Sequence, residues 1–234
     1  MRKILLAALA STAMTTVAHA AVVDLNFEGI NSTYPSGYAF INGFYDGGVS
    51  SDGTSGPNYG VTFSSNAQAI CLNSLSVVCS NTSRGGLAPS SAKGALFFLS
   101  GTSTTIDVAG GFTTGFSFNY TDPNGDVGSV SVYSGPDGTG TLLQSFSLGR
   151  TPNGDTACPG YSAEFCPFVP IGVTFSGTAH SIVFGGVENQ IVFDDVTFGS
   201  SKPGVPEPAT WVTMLTGLAA AGAILRRRRS LATA

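Results

Sequence analysis

The chain has 234 residues, of which 42% are hydrophobic and only 10% charged, and its formal net charge is −4. Residues 21–202 keep four of the ten basic residues and thirteen of the fourteen acidic ones, a net charge of −9. Such a region lacks the basic surface that nucleic acid and anionic lipid require, so no nucleic-acid partner is expected. The acidic surface either attracts divalent cations or only keeps the domain soluble.

Residues 1–20 have the three parts of a secretory signal peptide. Arg2 and Lys3 precede an apolar run from Ile4 to Ala10, and Ala18 and Ala20 form an A-x-A cleavage site. The Sec translocon and signal peptidase are therefore expected partners, and the mature chain is predicted to begin at Ala21. The alternative is a retained N-terminal helix.

Residues 21–202 alternate apolar and polar residues in short runs that are separated by Gly, Asp, Asn and Ser turns. One such run, 112–120, places Phe112, Phe116, Phe118 and Tyr120 on one face. Runs of this period indicate β-strands, and no window before Ala209 has a helical stripe. The pattern predicts an all-β domain, a jelly-roll-like antiparallel β-sandwich of eight to ten strands. Residues 47–58 are predicted to form a long exposed loop.

The four cysteines form two equally spaced pairs, each with seven residues between its members. Export permits disulfides, and four cysteines allow three connectivities. We favour the two local pairs, Cys71 with Cys79 and Cys158 with Cys166, each worth roughly 2.5 kcal/mol by loop entropy. A zinc site is the alternative, although the spacing is too wide for a zinc knuckle and no histidine is nearby.

Carboxylates at the two ends of the domain form one candidate metal site. Asp194 lies in the last predicted strand, on one face with Val192, Val196 and Phe198, where a carboxylate is costly unless it is paired or bound to metal. The early Phe27-Glu28 and the late Asp194-Asp195-Val196 resemble jelly-roll carbohydrate-binding modules. That resemblance implies a structural Ca²⁺ held by Glu28 and Asp194. The alternative is that Asp194 and Asp195 bind backbone at a strand end.

A second acidic motif, Asp122-x-Asn124-x-Asp126, matches the first three ligand positions of a calcium loop. Val127 stands where an EF-hand needs glycine and Tyr133 where it needs glutamate, so the EF-hand interpretation fails. We expect this segment to be a hairpin turn rather than an ion site.

Residues suited to glycan binding or catalysis are few. Five tyrosines in or near Gly-rich segments could stack on sugar rings, or could be strand-end residues of the fold: Tyr34, Tyr38, Tyr45, Tyr59 and Tyr161. His180 is the one histidine after the signal peptide, and there is no Gly-x-Ser-x-Gly elbow. We therefore predict no enzymatic activity. A polysaccharide hydrolase with two carboxylates is the weakest alternative.

Residues 203–229 form a distinct tail, followed by 230–234. It contains Val205-Pro206-Glu207-Pro208, an apolar run over 209–225, and Arg226, Arg227, Arg228 and Arg229. The proline segment should be extended and exposed. The 17-residue run would span roughly 26 Å and is predicted to be a short transmembrane helix. The four arginines that follow it are expected to stay in the cytoplasm. A permanent anchor or a buried Ala-rich helix are the alternatives.

These three parts, in this order, resemble the PEP-CTERM sorting signal of Gram-negative bacteria. The resemblance implies recognition by exosortase, a membrane cysteine protease-transpeptidase that cuts near the Pro-Glu-Pro segment. It also implies an exopolysaccharide-producing, biofilm-forming host. We therefore expect an inner-membrane-anchored precursor that becomes a non-catalytic protein of the cell envelope or extracellular matrix. A calcium-stabilised module that binds exopolysaccharide is the alternative.

Overall fold

The computed structural model describes residues 23–31, 37–72, 94–152 and 165–202. These residues form strands and contain no helix that is long and apolar enough to cross a membrane. The predicted signal peptide and the predicted span at 209–225 lie outside this part. The strands are β1 (Val23–Leu25), β2 (Tyr38–Phe40), β3 (Val61–Phe63), β4 (Ala67–Cys71), β5 (Gly94–Phe98), β6 (Ser103–Phe112), β7 (Gly115–Thr121), β8 (Gly128–Tyr133), β9 (Leu142–Leu148), β10 (Val169–Thr174), β11 (Ala179–Gly185) and β12 (Val192–Phe198).

Two antiparallel sheets share these strands. The larger sheet has the order β10-β7-β12-β5-β4-β2, and β1 also pairs with β12. The smaller sheet has the order β3-β6-β11-β8-β9. The predicted all-β class and the sandwich are confirmed, while the jelly-roll connectivity stays a prediction. The described residues alone contain twelve strands, so the predicted eight to ten was wrong.

The predicted run over 112–120 is in fact the end of one strand and most of the next. Thr114 has a φ of +70° and reverses the chain between β6 and β7. A left-handed threonine is rare, so the sequence carried no turn signal there. The predicted shared face is nevertheless confirmed, because Phe112, Phe116, Phe118 and Tyr120 all enter the main core.

Aromatic rings from both sheets fill the main core. Phe118 of β7 stacks on Phe116 with ring centroids 5.6 Å apart and meets Phe184 of β11 edge to face at 5.3 Å. Phe184 also contacts Phe193 of β12 at 4.5 Å. Such offset and edge contacts are favourable beyond the apolar area that they bury. This cluster joins the centres of the two sheets.

The central strands of the larger sheet, β4, β5, β7 and β12, are buried on both faces. Alternate residues of its strands belong to the main core on one side and to a second apolar cluster on the other, where Phe165 and Phe168 cover the sheet. Every residue of β7 and β12 is buried as a result. Polar side chains on the outer side of β7, such as Asn119, are therefore buried too.

β12 contains a bulge at the point where its neighbour changes. Its first half pairs with β5 and its second half with β1, while β7 runs along the other edge. Asp194 pairs with Asn119, and Thr197 pairs with Ser117. Asp195 and Val196 of β12 therefore lie opposite the single residue Phe118 of β7. Asp195 has a φ of +48°. The inserted residue shifts the alternation. Val196 enters the main core with Phe198 while Val192 enters the second cluster, so the predicted common face was wrong.

Residues 47–58 form an ordered loop rather than an open one. Two isolated β-bridges, Asp46 with Asn58 and Val49 with Ser55, close it. Ser51 binds both backbone groups of Phe40, because its Oγ accepts from the Phe40 amide and its own amide donates to the Phe40 carbonyl. The loop thus covers part of the edge of β2, which limits edge-to-edge association.

The last described residues fold back over the larger sheet. The Gly199 amide donates to the Gly115 carbonyl at 3.0 Å, and Thr114 Oγ1 donates to the Gly199 carbonyl at 3.1 Å. The Ser201 carbonyl then lies over β10, only 1.9 Å from where a Cβ on Gly172 would be. The absence of a side chain at Gly172 therefore lets the segment that leads to the tail pack directly on β10.

We predict that Gly172→Ala destabilises the fold by roughly 1–3 kcal/mol, because the added methyl displaces the Ser201 backbone. Gly149→Ala is the control, since a Cβ there meets nothing within 4 Å. Urea unfolding of both variants measures the difference. Equal stabilities for the two would contradict the close contact at Gly172.

Candidate functional site

The β12 bulge gathers polar groups into a buried acidic corner, which we define as Asp24, Asn119, Asp194, Asp195 and Thr197. Asp194 and Asp195 are 3% and 2% exposed. Asn119 Nδ2 donates to Asp195 Oδ2 at 3.0 Å, the Asp195 amide donates to Asp194 Oδ1 at 2.7 Å, and Thr197 Oγ1 donates to Asp24 Oδ1 at 3.2 Å. The corner is thus a hydrogen-bonded network on the outer side of the larger sheet.

One atom of this corner is unsatisfied. Asn119 is fully buried, and its Oδ1 has no hydrogen-bond partner among the described residues. A buried amide oxygen without a partner costs about 1–3 kcal/mol. Oxygens of this kind, together with carboxylates, are the ligands that Ca²⁺ prefers.

Glu28 lies beside the acidic corner. Its Oε1 accepts from the Gly94 amide at 2.9 Å, and Gly94 opens β5, which flanks β12 on the same side as β1. Glu28 is thus held at the start of β5, the strand beside β12. Across the described ranges, no group of three or more His, Cys, Asp or Glu side chains is placed to hold a metal. The calcium assignment stays a prediction.

Sequence reasoning singled out Asp194 but missed its most important neighbours. In the sequence, Asn119 is one polar residue on an alternating strand, and only burial of both sheet faces makes it an interior group. The alternative had Asp194 and Asp195 bind backbone at a strand end, whereas Asp195 lies at a bulge within β12 and has a left-handed φ. Asn and Asp tolerate this conformation better than other residues, which was the one available signal.

The predicted hairpin at 122–126 was wrong, because β7 and β8 lie in different sheets and the chain crosses between the sheets here. Asp122, directly after β7, organises this turn. Its Oδ1 accepts from the amides of Gly125 and Asp126 at 2.9 and 3.0 Å. Its own amide donates to Thr151 Oγ1 at 2.9 Å. Burial raises the pKa of the Asp122 carboxyl, and the Asp126 carboxylate adds to the rise, against the turn amides and Arg150, which lower it.

The tyrosines proposed for glycan stacking differ in their exposure. Tyr45 is buried, and its hydroxyl accepts from the Phe27 amide at 2.9 Å, so it serves the fold. Tyr38 and Tyr59 are 51% and 46% exposed. Tyr34 and Tyr161 lie outside the described residues.

Tyr59 lines a pocket of about 230 Å³ at the end of the sandwich where β1 and β12 pair. Its ring stacks on Tyr45 at 6.1 Å with 18° between the planes. Phe112 and three glycines, 110, 111 and 199, complete much of the wall. A fixed aromatic ring beside glycine backbone is an arrangement that suits a flat, partly apolar ligand such as a sugar ring.

The remaining candidates do not form a catalytic arrangement in the part of the chain that is described. His180 is half-buried, and its Nδ1 lies 3.3 Å from the Val108 carbonyl, where it contacts backbone. Cys71 and Cys166 are fully buried and disulfide-bonded. Cys79 and Cys158 lie outside the described residues, so the pairing stays a prediction. The sorting motif at 205–208, Arg226 to Arg229, and Ala18 and Ala20 lie outside them as well.

Comparisons with known proteins add no relative. No protein-family model matches the chain, and neither a curated protein nor a solved structure matches it.

A second carboxylate pair, Asp107 and Asp137, gives a pH prediction. Burial raises the pKa of Asp107 above its ordinary 3.8, and the Asp137 carboxylate raises it further, while the Asp137 amide opposes this by donating to Asp107 Oδ1 at 2.7 Å. The folded state thus binds this proton more tightly than the unfolded state. The resulting stability is complete below pH 3.8 and is lost as pH rises through the raised pKa.

Acidification from pH 7 to about pH 3.8 should raise the free energy of unfolding less in Asp107→Asn than in wild type. The difference should be less than about 1 kcal/mol, because the Asp107 carboxyl is partly solvated. The carboxamide oxygen of the substituted side chain would still accept from the Asp137 amide. Thermal unfolding across this pH range measures the effect, with the exposed Asp46→Asn as control. If the Asp107→Asn and wild-type profiles superimpose, the prediction is wrong.

Proposed function

We propose that the protein is an exported, exosortase-processed β-sandwich with a non-catalytic structural or adhesive role in the cell envelope or extracellular matrix. The observation that carries the proposal is the tail, in which Pro206-Glu207-Pro208, a short apolar run and four arginines follow one another. The signal peptide at 1–20 supplies the export that such a tail requires.

The end of the folded domain supports this proposal. The sandwich closes with β12, and the exposed Lys202 ends the held segment. Six residues, 203–208, then separate Lys202 from the apolar run. Fully extended, they reach about 20 Å. The precursor would therefore hold its sandwich close to the surface of the inner membrane that faces away from the cytoplasm. The cut site would lie between the sandwich and that surface.

The acidic surface agrees with a soluble role after release. With a net charge of −9 over residues 21–202, the domain is repelled by anionic headgroups once the span is removed. Cleavage would then be enough to free it from the membrane. Exopolysaccharide in the surrounding matrix is the partner that this location offers.

A second candidate is a calcium-stabilised module that binds exopolysaccharide, and two observations favour it. Tyr59 presents a half-exposed ring beside the apolar pocket. Asp194 pairs with Asn119, whose Oδ1 is unsatisfied, and Glu28 is held at the start of β5 beside β12. Ca²⁺ there would neutralise buried carboxylates and so stabilise β12.

Glu207→Ala tests the sorting proposal. We expect the uncut precursor to accumulate in the membrane fraction, because the enzyme loses the one charged group of its recognition segment. Glu188→Ala, at an exposed glutamate within the sandwich, is the matched control and should be processed normally. Immunoblots of membrane and released fractions measure both. Normal processing of Glu207→Ala would count against exosortase recognition.

Tyr59→Ala tests the second candidate. If the pocket binds polysaccharide, this variant should lose most pull-down by the exopolysaccharide of the producing cells, since stacking contributes a large part of such contacts. Tyr38→Ala, at an equally exposed tyrosine away from the pocket, is the control. Undiminished pull-down by Tyr59→Ala would rule out the pocket as the glycan site.

A further inference from the structure

The turn after β7 leaves two carboxylate oxygens buried and unsatisfied. Asp122 has no exposed surface, and its Oδ2 has no hydrogen-bond partner among the residues that the structure describes. Oδ2 of Asp126, four residues later, is likewise buried and without a partner there. An unpaired buried carboxylate oxygen is among the most costly groups in a protein interior.

The hydrogen bonds of the turn fix the direction of Asp122. Its Oδ1 is occupied by the amides of Gly125 and Asp126. The Asp122 backbone is held in turn by Thr151, whose amide donates to the Asp122 carbonyl at 3.0 Å. Oδ2 is thus the one oxygen of this side chain that is left for another ligand.

Arg150, whose positive charge acts on Asp122, does not fill this role. Arg150 packs its methylene groups over Gly125, and its Nε donates to the Pro123 carbonyl at 2.8 Å. Neither unsatisfied oxygen receives a hydrogen bond from its guanidinium in the described part of the chain. A proton shared between the two carboxyl groups would satisfy both oxygens only if the two Oδ2 atoms were hydrogen-bonded to each other. No such hydrogen bond is present in the described residues.

We propose that Asp122 and Asp126 bind a divalent cation, with Ca²⁺ as the ion that fits best. Both ligands are hard carboxylate oxygens, and an ion between them satisfies the two unpaired atoms and removes their mutual repulsion. Asn124 and Gly125 are exposed and Asp126 is half-buried, so the turn that carries both ligands borders solvent. Backbone carbonyls and solvent complete the six to eight oxygens that Ca²⁺ requires.

The site differs from an EF-hand and from the acidic corner. The absence of glycine at 127 and glutamate at 133 excludes the twelve-residue loop but not a two-carboxylate turn site. Asp122 and Asp126 follow the end of β7, whereas Asn119 lies within the strand and faces the β12 bulge. With only two carboxylates, the expected Kd is about 0.1–1 mM, the range of extracellular calcium modules.

The test is calcium titration of the purified full-length chain in detergent, after removal of metal with a chelator. Isothermal calorimetry should give binding in that range, and the thermal midpoint should rise with Ca²⁺ concentration. Asp126→Asn should weaken this binding at least about tenfold. Without Ca²⁺, Asp126→Asn should be at least as stable as wild type, because it removes the repulsion with Asp122. Asp122→Asn should also lose the binding.

Two control variants make the result specific. Asp137→Asn alters the other carboxylate pair and should leave this binding unchanged. Glu28→Gln removes a carboxylate beside the acidic corner. It should leave Ca²⁺ binding by Asp122 and Asp126 unchanged and remove only any separate Ca²⁺ binding at the acidic corner. Absence of binding up to about 10 mM, well above the expected Kd, would overturn the proposal. Binding that is lost in Glu28→Gln and retained in Asp126→Asn would also overturn it and would favour the acidic corner.

Discussion

The position of β12 between three neighbours is the constraint on which the rest of this structure depends. β12 pairs with β7, β5 and β1, and Phe193, Val196 and Phe198 carry it into the main core. Because β1 is the first strand, its pairing with β12 joins the two ends of the domain. A domain that is closed in this way would keep every strand pairing among the described residues if residues before β1 and after Lys202 were removed.

Burial of the larger sheet on both faces explains where its chemistry lies. A sheet with one wet face would leave Asn119 and Asp194 in solvent, where they would need no special partner. The outer face of the central strands is buried instead, with Phe165 and Phe168 in the second cluster there, so Asn119 and Asp194 are interior groups that must be satisfied. One proposed calcium site depends on the bulge in β12, and the other depends on the buried turn after β7.

Much of the fold could be predicted from the sequence, because alternation reports which residues face a core. The all-β class, the sandwich and the inward face of β7 followed from it. The bulge at Asp195 and the reversal at Thr114 could not, since both place left-handed backbone inside stretches whose alternation indicated continuous strands. A turn at 122–126 could be predicted, but the expected hairpin was wrong, because the chain crosses between the two sheets there. Thr151, 29 residues away, binds the Asp122 amide, and no local pattern reports such a contact.

The proposed role in the envelope or matrix requires that the residues after the Pro-Glu-Pro segment are removed once the sandwich has been exported. The most direct test is the intact mass of the protein recovered from the cells that produce it. We predict a chain that begins at Ala21 and lacks residues 209–234. A mass that includes the span and Arg226 to Arg229 would contradict the claim and would leave an acidic β-sandwich on a permanent membrane anchor.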